Sequence, residues 1–487
     1  MRMLVCLVTV IALGACGDRR KATPPPTAER WGGAIVIPNE PPLEFELRWT
    51  PSTPPRGTMA IPAQRLAATA LTDVGATATT MTFTLEPAGA ALAGFARFTV
   101  ERSDDSQTAR GTLAQHGATF PVRMRRITED EVVADGPVRP QLPKPPFPYD
   151  ARDAAYQSQD GTALAGTLTV PRGAGPHPAV VLITGTGAQD RDESLMGHRP
   201  FFVLADHLTR RGIAVLRVDD RGVGGSGGDT AATDLEGKTD DALAGIAWLA
   251  RQPELDPARL GLIGHSEGGV IAPMAATRAG VTPPIAFVVL LAAPGVDGAE
   301  ISLRQIELIM QVQGVAPDVV ASRVASQRRL LDAQIATADP AVLRVAVAAH
   351  IDELAKMAPP AERAQLIGAA RDAMIETSVA TLTSPASRAF TMTDPAPILA
   401  RLRCPVLALG GVLDLQVPAE ANLAAIRAAL ERGGNRDVTT AALPGLNHLF
   451  QPAQRGLMEE YSLIETTFDP DALDRISDWL RARAGVK

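Results

Sequence analysis

Gly264-His265-Ser266-Glu267-Gly268 sets a serine between two glycines in the G-x-S-x-G spacing. A serine hydroxyl becomes a nucleophile when a base takes its proton and the backbone leaves it exposed. This spacing meets the second condition, because a tight strand-to-helix turn needs nothing bulky two residues either side. The pattern recurs at Gly224-Gly225-Ser226-Gly227-Gly228, and context separates the two. Ser266 follows an apolar strand pattern, Leu260–Ile263, and precedes a helical one, Gly268–Arg278. Ser226 sits in a glycine-rich loop with charged, turn-forming residues after it. Ser266 is read as the nucleophile and Ser226 as loop structure.

The base must be a histidine and the base needs an orienting acid, following the serine in the order acid, then histidine. Only His350 and His448 lie beyond Ser266. His350 falls in a helical stretch, Val345–Leu354, and reads as structural. His448 follows the strand pattern ending at Leu443, in a loop at a strand's carboxyl end, and is the expected base. Asp414 comes just after the strand Val406–Leu409 and the turn Gly410-Gly411, and is the expected acid. Asp437 is the alternative, but it precedes its strand and would lie at the other end of a sheet. The oxyanion formed on attack needs preorganised N–H donors. Glu267, next to the nucleophile, supplies one. The loop Thr184-Gly185-Thr186-Gly187 supplies the other, from Thr186, with Gly185 as the alternative.

The remaining polar motifs receive structural readings. His265 is expected to point away from the site, and His198 and His207 to lie on a loop and a helix surface. Asp219-Asp220-Arg221-Gly222 should fix a turn by ion pairing; Asp190, Arg191 and Asp192 either line a pocket mouth or hold a loop. His116 reads as a turn or surface residue. There is no H-E-x-x-H, no G-x-x-x-x-G-K-[ST] and no C-x-x-C, so zinc, nucleotide and thiol redox chemistry have no support, and no cofactor or metal is expected.

The elements that must position these residues are strands alternating with helices. A hairpin around Asp160-Gly161 leads to the strand Ala179–Thr184, the helix Phe201–Arg211, the strand Ala214–Asp219, the helix Asp240–Arg251 and the serine turn. After the strand Ile285–Leu291 comes an Ala-, Leu- and Arg-rich helical interruption, residues 296–394, read as a lid insertion. The strand Val406–Leu409, the helix Ala419–Glu431, the strand Val438–Leu443 and a last helix near Asp471–Arg483 follow. Continuous apolar strands between amphipathic helices predict an α/β fold with a mostly parallel sheet covered on both faces. Upstream, residues 31–135 carry short alternating runs at Leu43–Leu47, Met81–Leu85, Phe95–Val100 and Thr119–Met124, which predict a small all-β domain, a barrel or a sandwich. Prolines 140, 143, 145, 146 and 148 make residues 136–150 a stiff linker to the domain of residues 151–487.

Composition agrees with an ordinary globular protein. Of 487 residues, 46% are hydrophobic and 21% charged, which excludes disorder throughout. A net charge of −7 with 4% aromatics argues against nucleic acid as a partner. Residues 1–15 read as a signal peptide: Arg2, the apolar run Met3–Leu13, then Gly14 and Ala15. Leu13-Gly14-Ala15-Cys16 resembles the bacterial lipobox, so Cys16 is expected to be acylated, with residues 16–30 as a tether and the protein exported to the cell envelope on a membrane anchor. Cys404 is then the one cysteine left, and it reads as a small buried hydrophobe.

Taken together, these motifs resemble the EstD-type bacterial carboxylesterases of the α/β-hydrolase superfamily. The resemblance covers Tyr149–Leu480, about two thirds of the chain. It rests on Thr184–Asp192, Arg217–Gly222, Gly264–Gly269, Asp414–Pro418 and Leu446–Gln451 in that order. It implies the α/β-hydrolase fold, a triad of Ser266, Asp414 and His448, and hydrolysis of short to medium acyl esters without a cofactor. The chain departs from the pattern at Thr184, where many relatives have histidine, and at Pro385–Phe390, which is less aromatic. Two alternatives stand beside a small-molecule carboxylesterase: a serine aminopeptidase or acyl-peptidase of the same superfamily, and a non-catalytic surface lipoprotein that binds a ligand.

Overall fold

The computed structural model describes residues 29–36, 42–51, 55–61, 66–77, 79–85, 96–115, 118–128, 139–357, 363 and 367–486. The expected signal peptide, Cys16 and His116 lie outside the described residues. Two compact units divide between Ala134 and Asp135.

Among the described residues the first unit has eight strands: β1 (Glu29–Ile35), β2 (Leu43–Thr50), β3 (Arg56–Ile61), β4 (Leu66–Ala76), β5 (Thr80–Leu85), β6 (Ala96–Arg102), β7 (Thr108–Gln115) and β8 (Ala118–Arg126). Each pairs antiparallel with the next, and β8 returns to β1 to close a barrel, which leaves no free sheet edge. Alternation turns Phe45, Leu47 and Trp49 of β2, Phe83 of β5 and Phe98 of β6 into one buried core. The Phe83 and Phe98 rings stack at 4.8 Å, so the interior is filled by side chains. The period-two runs read from the sequence fall on β2, β5, β6 and β8. The strands not read that way include β1, whose Gly32-Gly33 hides the alternation, and β7, where Gly111 does the same.

The second unit is built on an eight-stranded sheet. A hairpin of β9 (Tyr149–Gln157) and β10 (Ala163–Pro171) is followed by β11 (His177–Ile183), β12 (Ala214–Val218), β13 (Leu255–His265), β14 (Phe287–Leu291), β15 (Val406–Gly411) and β16 (Val438–Leu443). Their order is β16-β15-β14-β13-β11-β12-β10-β9. The six strands from β16 to β12 run parallel, and β10 joins β12 antiparallel. Strand order therefore reverses around β11, and parallel strands direct all their carboxyl ends to one edge, where open α/β sheets build sites.

Helices α1 (Pro200–Arg210), α2 (Leu235–Leu249) and α3 (Gly268–Thr277) precede β14. Between β14 and β15 come α4 (Gly298–Val312), α5 (Pro317–Ala336), α6 (Pro340–Met357), α7 (Gly368–Thr383), α8 (Pro385–Met392) and α9 (Ala396–Leu399). The chain ends with α10 (Ala419–Arg432), α11 (Met458–Tyr461) and α12 (Pro470–Ala484). Successive residues of β11 serve opposite cores. Val181 and Ile183 pack with α2, α3 and α10, while Val180 and Leu182 pack with α1 and α12. Burial on both faces explains why these strands read as unbroken apolar runs. The expected interruption is helical, with a small core of its own around Leu330, Val347, Ile351, Ile375 and Val379.

Boundaries differ from expectation at α2, which starts at Leu235 and not Asp240. The Asp234 carboxylate accepts the Gly237 N–H at 2.9 Å and caps the helix there. In the proline-rich segment, the Arg139 guanidinium donates to the carbonyls of Ile464 and Ser462, and Gln141 accepts the Thr467 and Phe468 N–H groups. This stretch is thereby bonded to the second unit.

Candidate active site

The turn from β13 into α3 holds Ser266 at φ +54°, a left-handed conformation that disfavours a side chain by about 1–2 kcal/mol. Its N–H donates to the Leu291 carbonyl at 2.9 Å, at the end of β14, and its carbonyl accepts the Gly269 N–H at 2.8 Å. The flanking glycines are there for space. A Cβ on Gly264 would meet the Gly268 carbonyl at 2.0 Å, and one on Gly268 would meet the Ile183 carbonyl at 2.3 Å. The serine turn is thus pressed against the end of β11, where the loop expected to hold the oxyanion begins.

Asp414 and His448 sit at the same sheet edge, after β15 and β16. Asp414 is fixed by its Oδ1, which accepts the N–H groups of Gln416 and Val417, each at 2.8 Å. Its Oδ2 accepts the His448 Nδ1 proton at 2.8 Å, and both side chains are buried. The two loops are tied by the Leu413 N–H to the Leu446 carbonyl at 2.9 Å. Asn447 braces the His448 loop from within, its Oδ1 accepting the Leu449 and Gln451 N–H groups. With Nδ1 donating, Nε2 of a neutral His448 keeps its lone pair, which is the state a general base requires. Among the described residues no hydrogen bond joins Ser266 to His448. In unliganded sites that bond commonly tightens only around substrate. Asp437, the alternative acid, pairs instead with Arg483 at 2.6 Å, at the amino end of β16.

The loop after β11 is held at several points. Asp220 accepts from the Thr184 hydroxyl at 2.7 Å and the Gln189 N–H at 3.0 Å. Burial pushes the Asp220 carboxyl up to about 7, against the pull of these hydrogen bonds. Gly185, the alternative oxyanion donor, gives its N–H to Glu193 Oε1 at 3.0 Å and is engaged. The N–H groups of Thr186 and Glu267 find no protein acceptor among the described residues. The Glu267 side chain is buried and paired with Lys238. A cavity of about 60 Å³ lies behind this loop against Thr184, Gly185, Asp220 and Lys238; neither Ser266 nor His448 lines it.

The structural readings of Asp219–Gly222 and Asp190–Asp192 correspond to what the chain builds. Asp219 pairs with Arg191 at 2.6 Å, Arg221 with Asp241 at 2.7 Å, and Asp192 with Arg199 and Arg217. Ser226 donates to the Asp219 carbonyl and accepts the Ala165 N–H, a loop role. His350 bonds Ser326 and Arg323 inside the helical insertion. Cys404 packs against the core, where burial raises its thiol to about 12.

Three histidines differ from expectation. His198 is on a loop but buried, bonded to Thr467 and the Tyr461 carbonyl, and burial lowers it to about 4. His207 lies on α1 but is mostly covered, bonded to Ser477 of α12. His265 does not point away. Its ring lies 4.8 Å from the His448 ring, bonds Glu193 at 2.8 Å and meets the His448 carbonyl at 3.0 Å. Burial pushes its pKa down, but the Glu193 charge and these bonds outweigh it and hold the imidazole above its ordinary value. Glu193, 72 residues from its partner, carries no local signal that could have marked it.

The family whose model matches the chain is described as X-Pro dipeptidyl-peptidase (S15 family), over residues 160–440. A protein of Thermotoga maritima named Esterase EstD is 25% identical over 330 residues, 67% of this chain and 68% of that one. A Mycobacterium tuberculosis protein, Uncharacterized protein MT2364, is 34% identical over 137 residues; the match spans 28% of this chain and 44% of that one. Among solved structures, the Pyrococcus furiosus esterase PF2001 aligns over 72% of this chain and 98% of its own, at 16% identity and a TM-score of 0.41.

Proposed function

The chain belongs to the X-Pro dipeptidyl-peptidase (S15) family of hydrolases, and from that premise we propose that it is a carboxylic ester hydrolase working through Ser266, His448 and Asp414. The observation that carries the reading is the 2.8 Å bond from His448 to Asp414, at the sheet edge that also presents Ser266 in a left-handed turn. His448 Nε2 takes the Ser266 proton as Oγ attacks the ester carbonyl. The Asp414 carboxylate steadies the imidazolium that forms, and the N–H groups of Thr186 and Glu267 receive the oxyanion. Collapse of the tetrahedral intermediate returns the proton to the leaving alcohol and leaves an acyl-Ser266. Water, deprotonated by His448, releases the acid and restores the serine.

Three supports bear on the finer reading. The relative named Esterase EstD favours esters. The helical insertion starts just after Leu291, whose carbonyl bonds the Ser266 N–H, which favours a lid over the site. The leader-like pattern of residues 1–15, followed by Cys16, favours an exported, lipid-anchored enzyme of the cell envelope. A second reading, a peptidase, draws on the family description itself. The test is hydrolysis of p-nitrophenyl esters of graded acyl length beside Xaa-Pro anilides, with Ser266→Ala as control. Ester turnover lost in the variant is the expected result. Anilide turnover without ester turnover would favour the peptidase, and a folded Ser266→Ala variant at parental rate would remove Ser266 from the chemistry.

A further inference from the structure

We propose that Glu193 and His265 are positioning residues: a doubly protonated His265, paired with Glu193, locks the nucleophile turn to the base loop and the oxyanion loop. The proposal rests on the reading of Ser266 as nucleophile and His448 as base.

Its geometry is a junction of three segments far apart in sequence. His265 Nδ1 meets Glu193 Oε1 at 2.8 Å, and His265 Nε2 meets the His448 carbonyl oxygen at 3.0 Å. The same Glu193 oxygen accepts the Gly185 N–H at 3.0 Å. A carboxylate and a backbone carbonyl are both acceptors only. Against an ionised Glu193, a neutral imidazole, with one N–H and one lone pair, would set lone pair against lone pair at one of its contacts. Two N–H groups satisfy both, and the cation they create is balanced by the Glu193 carboxylate at contact distance. Asp414, beyond His448, adds a second negative charge on that side. Both partners are buried, at 6% and 4% exposure, so an unpaired charge on either would be costly.

The contacts are made where position matters. His265 adjoins Ser266 and holds the backbone of His448 itself. Gly185 lies against the nucleophile, a Cβ there falling 3.2 Å from the Ser266 Cβ. Glu193 reaches this junction from a left-handed backbone, φ +53°, a strain that persists only where surroundings impose it. Without the bridge, base and nucleophile would keep their identities but lose their register.

Two measurements test this on the full chain. In the first, histidine ring nitrogens are followed by 15N NMR across neutral pH, with His265→Gln assigning the signal. Both His265 nitrogens are expected to stay protonated; one unprotonated ring nitrogen at pH 7 would overturn the charged bridge. In the second, Ser266 is labelled with an alkyl fluorophosphonate, whose fluoride is displaced by Oγ. Glu193→Gln and His265→Gln should slow the labelling step about a hundredfold with saturation by the probe unchanged. Rates within twofold of the parent in folded variants would overturn the positioning role. If the parent is not labelled at Ser266 the triad reading fails, while the nitrogen spectrum still decides the bridge. If neither variant folds, the His265 signal is assigned in the parent through its backbone connectivity to Ser266, and that spectrum decides.

Discussion

Asp414→Asn should remove catalysis while leaving the fold, and the structure gives the reason. The Asp414 Oδ1 faces two N–H groups, from Gln416 and Val417, each at 2.8 Å. An asparagine must keep its carbonyl oxygen there, because turning its NH2 toward two donors would leave three polar groups unpaired. The amide NH2 is then aimed at His448 Nδ1, where Asp414 Oδ2 accepted a proton. Nδ1 becomes the acceptor, the ring proton moves to Nε2, and the base presents an N–H to the hydroxyl it should deprotonate. A wrong tautomer of this kind lowers kcat by about 10⁴, or about 5.4 kcal/mol in the barrier. Stability should fall by only about 1–3 kcal/mol, the difference between charge-assisted and neutral hydrogen bonds. Initial rates on p-nitrophenyl butyrate, read beside thermal unfolding, measure both. Asp437→Asn is the internal control, since that carboxylate lies at the opposite sheet end with Arg483, and it should keep parental kcat. A folded Asp414→Asn enzyme within tenfold of the parent would refute the assignment of acid and base together.

Other perturbations have definite expectations. Lys238→Met strands the buried Glu267 carboxylate and should cost about 3–5 kcal/mol in urea unfolding, most of it recovered by adding Glu267→Gln. Asp220 binds its proton more tightly folded than unfolded, so its contribution is present below 3.8 and is lost as pH rises through about 7. Asp220→Asn should therefore gain stability relative to the parent across that window, measured as melting temperature against pH; a constant difference would contradict the burial of this carboxyl. Ser266→Gly should abolish ester turnover yet raise stability by about 1 kcal/mol, because glycine accepts φ +54° without a Cβ penalty.

Much of the second unit is legible from local pattern. Strands such as β14 and β15 are apolar on both faces, so their residues read as continuous runs whatever their neighbours. The glycines around Ser266 announce the turn because backbone atoms occupy the space a side chain would need. The barrel unit is less legible. Glycines at 32, 33 and 111 interrupt its alternation, and only closure of β8 on β1 shows which faces are inside.

The polar junctions around the candidate site divide in the same way. Residue type and order alone singled out Ser266, Asp414 and His448, since each follows its own strand and parallel strands end at one edge. Asp220 is also near in sequence to the strand that carries it, but its raised pKa comes from burial in the folded chain, opposed by hydrogen bonds from Thr184 and Gln189 of another loop. The place of the His265 ring is not legible in the sequence, because adjacency to Ser266 says nothing of where a side chain goes in a turn with positive φ. Its partners, Glu193 and the His448 carbonyl, lie 72 and 183 residues away. The sequence by itself determined most elements of the second unit and the strand ends at which the candidate residues fall, because helix and strand periods act over a few residues. Only the tertiary structure decided which buried polar groups meet, because a hydrogen bond acts over about 3 Å in space, at any separation along the chain.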